Sequence, residues 1–78
     1  MFVLKGDKRI NLDKVREYRP IEKILLKDKH FMVEFIYDDG AREEFNFFDD
    51  ERWRNQMIIT LDKMFLKKDI NEKPLDIT

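Results

Sequence analysis

The sequence predicts an α+β domain, in which a four- to five-stranded antiparallel meander is packed on one sheet face by one C-terminal helix. Two observations carry this prediction. Apolar and polar residues alternate in the first part of the chain, as in strands with one buried face, and apolar residues then recur every three or four positions, as in an amphipathic helix. The chain has 78 residues, 42% of them hydrophobic, which is enough for a single core.

The first two predicted strands form a hairpin around Gly6-Asp7-Lys8. This loop aligns their apolar side chains in pairs, Phe2 with Leu12 and Leu4 with Ile10. The segment 15–19 reads as a further strand after a kink at residues 13–14. Because Pro20 has no N–H to donate, we expect it at a sheet edge, in a bulge or at a corner.

A second hairpin is predicted from the strand-like segments 21–27 and 30–37, with a tight turn at Asp28-Lys29. This register sets Ile24 opposite Val33 and Leu26 opposite Phe31. On the other face it sets Lys23 opposite Glu34 and Leu25 opposite Met32. The turn lacks the glycine that tight hairpin turns favour.

The third hairpin turns at Asp38-Asp39-Gly40. A two-residue turn would place Phe35 opposite Glu44 and would mix the two faces. A three-residue loop closed by Gly40 in the left-handed conformation instead sets Val33 opposite Phe45 and Phe31 opposite Phe47. We therefore predict the three-residue turn.

The helix is predicted to begin at an N-cap formed by Asp49 or Asp50 and to end near Lys67-Lys68. The domain then covers residues 1–68, and residues 69–78 form a polar tail in which Leu75 and Ile77 alternate as in a short strand. The predicted core comprises Leu4, Ile10, Leu12, Ile24, Leu26, Phe31, Val33, Phe35, Phe45, Phe47, Trp53, Met57, Leu61 and Met64.

The composition argues against an enzyme. The chain contains no serine and no cysteine, and its one histidine is His30. Neither Thr60 nor Thr78 has a base partner at a suggestive spacing, and the two glycines form no phosphate-binding loop. The segment 38–40 lacks the ligand spacing of a calcium loop. We therefore expect no catalytic residue, cofactor, metal site or small-molecule substrate.

The absence of cysteine fits a reducing cytoplasm, and no apolar run approaches the roughly 20 residues that span a bilayer. The charge is strongly segregated although the net charge is only −1. Residues 34–51 carry eight acids and one arginine, whereas residues 1–33 and 52–68 are basic. A partner would feel these blocks separately because screening acts over about 8–10 Å.

The sheet face turned away from the helix is the predicted partner-binding surface. The registers above place three apolar side chains there among charged ones, and such a row resembles a modest protein interface. The expected site residues are Leu25, Met32, Glu34, Ile36, Arg42 and Glu44. The alternatives are that scattered apolar residues on the surface have no special role, or that the N-terminal strands or the tail cover them.

These features predict a small non-enzymatic protein-interaction module, which binds a protein partner or a second copy of itself through the outer sheet face and the acidic hairpin. Small phage and mobile-element inhibitors that act by binding offer an analogy. The alternative is a small nucleic-acid-binding protein, which would use the basic N-terminal half, with Tyr18 as a stacking ring. Its basic residues are Lys5, Lys8, Arg9, Lys14, Arg16 and Arg19.

Overall fold

The computed structural model describes the backbone of residues 1–72 and the side chains of residues 1–66. The chain forms β1 (Phe2–Lys5), β2 (Lys8–Asn11), a 3-10 turn (Leu12–Lys14), β3 (Val15–Leu25), β4 (Asp28–Tyr37), β5 (Arg42–Asn46) and helix α1 (Glu51–Glu72). Strands β1 and β2 form one antiparallel sheet, and β3, β4 and β5 form a second one in that order. The predicted α+β class is confirmed, with the five strands divided between two sheets.

The turn between β4 and β5 is the predicted three-residue loop. Gly40 has a φ of +89°, and its N–H donates to the carbonyl of Tyr37 at 2.9 Å. The N–H of Tyr37 in turn donates to the carbonyl of Ala41 at 2.8 Å. Val33 consequently pairs with Phe45, as predicted, and both side chains are buried.

The predicted register between β3 and β4 is wrong by four residues. The turn lies at Leu26-Lys27, both of which have positive φ, and not at residues 28–29. Glu34 therefore pairs with Arg19 instead of Lys23, and Met32 pairs with Ile21 instead of Leu25. Two residues in the left-handed region form a tight turn of the primed type without a glycine, which composition alone does not indicate. Because the shift is even, each side chain stays on its predicted face.

Strand β3 is one continuous strand through Pro20, and of the predicted alternatives of a sheet edge, a bulge or a corner the structure shows the edge. Its 11 residues include Pro20, which pairs with Val33 at the edge of the three-stranded sheet. An edge strand has one side free of ladder hydrogen bonds, so the missing N–H of proline is tolerated there.

The register of the β1–β2 hairpin differs from the prediction by one residue. The loop has two residues, with Gly6 at a φ of +59°, and Val3 pairs with Ile10 while Leu4 pairs with Arg9. A one-residue shift exchanges the two faces of a strand. Val3 therefore packs against the core, and Leu4 is 56% exposed.

Helix α1 begins where the sequence predicts. The carboxylate of Asp50 accepts a hydrogen bond from the N–H of Trp53 at 2.9 Å, so Asp50 is the N-cap. The helix continues to Glu72, past the predicted end near Lys68. Residues 73–78, including the predicted alternation of Leu75 and Ile77, lie outside the described residues.

The core lies between one face of the three-stranded sheet, helix α1 and the β1–β2 hairpin. Its buried members are Ile10, Leu12, Val15, Val33, Phe35, Phe45, Phe47 and Leu61. Met57 and Met64 pack against them and are half-buried, and Phe31 is also half-buried.

Three further predicted core residues are exposed. Ile24 and Leu26 lie at the end of the β3–β4 hairpin as a result of the shifted turn, with exposures of 66% and 96%. Trp53 is 53% exposed, because it lies in the first turn of α1 and reaches the core through an edge contact with Phe47.

Replacing Leu61 with alanine tests the position of the helix in this core. The side chain is fully buried, so we expect a loss of about 2–5 kcal/mol in the free energy of unfolding. Ile59→Ala is the matched control, because Ile59 lies on the same helix with 44% exposure and should cost much less. Urea denaturation measures both variants, and equal losses would contradict the assigned helix face.

Candidate interaction surface

All six predicted site residues lie on one face of the three-stranded sheet, opposite the helix, as the alternation of each strand requires. The structure does not bring them together as a single apolar row. Met32 and Ile36 are 5% and 2% exposed, so the prediction of an open apolar row is wrong for these two residues. Leu25 pairs with Asp28 and lies four residues along β3 from the partner of Met32.

Long charged side chains surround Met32 and Ile36 on this outer face. The pairing places Arg42 beside Ile36, while Lys23 and Glu44 lie diagonal to Met32. The aliphatic stems of such side chains cover apolar surface while their charged ends reach water. We attribute the burial of Met32 and Ile36 on this face to such cover by their charged neighbours.

Glu34 is at the centre of the charges on the outer face. Its carboxylate accepts hydrogen bonds from Arg19 Nε at 2.8 Å and from Arg42 Nη1 at 3.3 Å. The hydrogen bond from Arg19 lowers the pKa of the Glu34 carboxyl from its ordinary value. Burial opposes this shift, and the charges of Arg19 and Arg42 add to it. A second ion pair joins Lys23 to Glu44 at 3.0 Å.

The end of the β3–β4 hairpin carries the most exposed apolar residues near this face. Strand β5 pairs with β4 only from Met32 to Ile36, so the hairpin continues past β5 as two strands. Leu25 is 42% exposed and Leu26 is 96% exposed. We call residues 24–27 the hairpin tip.

An aromatic cluster, which the sequence analysis missed, lies where β5 leads into the helix. The ammonium of Lys5 lies 5.1 Å from the ring centroid of Phe47, 5.3 Å from that of Trp53 and 5.8 Å from that of Phe48. These distances are in the range of cation–π contacts. We call Phe47, Phe48 and Trp53 the aromatic cage. The sequence offers only the Phe47-Phe48 doublet near Trp53 as a signal, and nothing links it to Lys5.

Arg54 is a buried cation that the sequence analysis also missed. It is 6% exposed, and its Nη1 donates to the carbonyl of Ile21 at 3.0 Å and, more weakly, to that of Met32 at 3.4 Å. Its guanidinium carbon lies 5.3 Å from the Phe31 ring centroid. Backbone carbonyls and an aromatic face thus satisfy a charge that would otherwise be costly to bury. Arg54 therefore attaches the start of α1 to β3 and β4.

The acidic side chains of residues 34–51 have several different structural roles. Asp39 accepts a hydrogen bond from the N–H of Ala41 in the turn, and Asp50 caps the helix. Glu43 pairs with Lys8 at 3.3 Å. These acids point to different neighbours, and among the described residues no group of three acidic, histidine or cysteine side chains is arranged to hold a metal ion.

Tyr18 and His30 have intramolecular partners. The Tyr18 hydroxyl donates to Asp62 at 2.5 Å, and its ring packs 5.0 Å from that of Phe65. Burial, together with the Asp62 carboxylate, raises the pKa of the Tyr18 hydroxyl. His30 Nδ1 lies 2.9 Å from Asn46 Nδ2. The Tyr18 ring is therefore engaged with the helix and not presented for base stacking.

Comparisons with protein-family models, curated proteins and solved structures find no match for this chain. Within the described residues, no helix combines the length and apolarity that crossing a membrane requires.

Replacing Glu34 with glutamine tests the charged cluster that Glu34 forms with Arg19 and Arg42. A carboxyl whose pKa is lowered by folding adds stability above its unfolded pKa, and this stability is lost as the pH falls through the folded value. We expect the variant to lose about 0.5–1 kcal/mol at pH 7, since both arginines are more than half exposed, and we expect this deficit to shrink as the pH falls below the ordinary carboxyl pKa of 4.5.

Glu17→Gln is the control, because Glu17 is an exposed carboxylate on the same strand as Arg19. Urea unfolding between pH 3 and pH 7 measures both variants. A deficit of the Glu34 variant that persists undiminished at pH 3 would show that the ion pairs are not its source.

Proposed function

We propose that the chain is a small non-enzymatic protein-interaction module that binds a protein partner through the hairpin tip. The single observation that carries this proposal is the state of Leu26, which is 96% exposed and adopts a left-handed φ of 51°. The chain contains no cysteine and so needs no oxidising environment to form disulfides, and we place the module in the cytoplasm.

The backbone of the hairpin tip is unfavourable for its residues. Leu26 and Lys27 have φ values of 51° and 73°, which asparagine and glycine adopt at low cost. A residue with a bulkier side chain costs roughly 1–2 kcal/mol in this region. Leu26 contributes almost nothing to the core in return, since nearly all of it is exposed. Because the strained backbone at Leu26 and Lys27 brings no gain in core packing, it supports a role for these residues in binding.

The chemistry around the hairpin tip indicates the kind of partner. Ile24 and Leu25 lie on opposite faces of β3 and Leu26 lies in the turn, so the partner needs an apolar pocket that encloses the tip from both sides. Lysines at positions 23, 27 and 29 flank them, and two of these lysines already pair with Glu44 and Glu22. Lys27 adds a cation at the tip itself, which favours a pocket with an acidic rim.

The outer face contributes the polar surroundings of this contact. Leu25 lies on the same face as Glu34, Arg42 and Glu44, so the tip and the charged cluster form one continuous side of the sheet. Three apolar side chains with a polar rim bury little area, which is typical of weak and transient complexes. The other occupant to test is a second copy of the chain.

The double substitution Leu26→Asn with Lys27→Gly separates folding from binding. Asparagine and glycine suit the two left-handed positions, so we expect the free energy of unfolding to rise by about 1–2 kcal/mol. Removal of the apolar anchor should abolish partner binding. Thermal unfolding measures the first effect. Affinity capture from cell extract, followed by titration of each captured protein in purified form, measures the second.

Leu66→Ala is the matched control, because it removes an exposed leucine of α1 outside the hairpin tip. Sedimentation of the wild type and the double variant detects a second copy as the occupant. The proposal is wrong if the stabilised double variant binds every purified candidate as tightly as the wild type does and self-associates to the same extent.

A further inference from the structure

We infer that the aromatic cage of Phe47, Phe48 and Trp53 is a binding site for a trimethylammonium group, and that Lys5 occupies this site as an internal competitor. The inference rests on other residues than the hairpin tip and goes beyond the proposed protein contact. A test of one can therefore fail without affecting the other.

The geometry of the cage is that of a cation site. Three ring centroids lie within 6 Å of one ammonium nitrogen, at 5.1, 5.3 and 5.8 Å. Cations are attracted to the negative faces of aromatic rings at these distances. Phe47 is buried, whereas Phe48 and Trp53 are 58% and 53% exposed. The cage therefore has a fixed side in the core and a side that opens to water.

The rings of the cage are held in place by their main chain. Phe48 adopts a left-handed φ of 56°. Its N–H donates to Asn46 Oδ1 at 2.7 Å, and its carbonyl accepts from the N–H of Phe31 at 2.7 Å. Such a conformation persists in a residue with a side chain only where its surroundings impose it. Trp53 follows the Asp50 cap in the first turn of α1. The main chain thus fixes the positions from which the Phe48 and Trp53 side chains extend towards Lys5.

Lys5 is an imperfect occupant of this cage. Its ammonium has three N–H donors and is strongly hydrated in water. Among the described side chains, no carboxylate lies within ion-pair distance of it. A trimethylammonium group has no N–H to satisfy and offers methyl groups to all three rings, so it suits the cage better. Lys5 ends β1 next to the Gly6 turn, and its flexible stem can swing the ammonium into water when a ligand enters the cage.

The test is a titration with choline. Binding is monitored through the fluorescence of Trp53, the one tryptophan of the chain. Lys5→Ala removes the competitor and should lower the Kd for choline by about two- to fivefold, the equivalent of one exposed cation–π contact. Adding Phe48→Leu to that variant should weaken binding by a similar factor or more. Sodium chloride at equal ionic strength and the uncharged analogue 3,3-dimethylbutan-1-ol are the controls.

A second measurement uses the unaltered chain. The ε-methylene protons of Lys5 lie among three rings and should resonate upfield in the NMR spectrum, and choline should shift them towards their values in a free lysine. A short peptide with trimethyllysine distinguishes a protein-borne group from a free small molecule, and binding of either supports the inference. It is overturned if choline leaves the Lys5 resonances unmoved, or if the uncharged analogue gives the same response as choline.

Discussion

The pairing of Val33 with Phe45 is the constraint on which the rest of the structure depends. It follows from a three-residue turn that Gly40 closes at a φ of +89°. With this register, Phe35, Phe45 and Phe47 lie on one face of β4 and β5, where Leu61 of the helix packs among them. A turn shorter by one residue would send Phe45 to the opposite face and place Glu44 opposite Phe35 beneath α1.

The elements with strong local signals could be predicted from the sequence. Asp38-Asp39-Gly40 supplies a turn glycine between two alternating strands, and Asp50 is followed by the helical spacing of α1, so both were placed correctly. The other two hairpins depend on turns with weaker signals. The shift of one residue at Gly6-Asp7 exchanged Val3 and Leu4 between core and solvent. The shift of four residues at Leu26-Lys27 changed every predicted cross-strand partner in β3, but each side chain stayed on its predicted face of the sheet. The candidate site residues consequently share a face although the predicted pairing of Leu25 with Met32 was wrong.

Burial on the outer face and the polar contacts of the core could not be predicted in this way. Ile36 is buried on the face opposite the helix, where its neighbour Arg42 forms an ion pair with Glu34, and this arrangement depends on the register. Arg54 lies between apolar positions of the helix, yet its burial depends on the carbonyl of Ile21, which is 33 residues away. The contact between Lys5 and Trp53 likewise joins distant parts of the chain. The periodicity of apolar residues in the sequence predicts which side chains share a face of a strand or helix. It does not predict contacts between residues that are distant in the chain, because these depend on the three-dimensional fold.

The hairpin tip and the aromatic cage share a physical property. Each combines a non-glycine residue at positive φ with an exposed apolar side chain, Leu26 in one and Phe48 in the other. Neither side chain is needed to fill the core. The packing of the Phe-rich interior holds both strained conformations in place.

The most direct test of the central claim is the pattern of proton contacts between β4 and β5 in the NMR spectrum. Odd-numbered residues of β4 form the hydrogen-bonded pairs with β5, so the close Hα–Hα contacts belong to the even-numbered ones. The account predicts strong Hα–Hα cross-peaks between Glu34 and Glu44 and between Met32 and Asn46. Cross-peaks that instead pair Glu34 with Phe45 would contradict it.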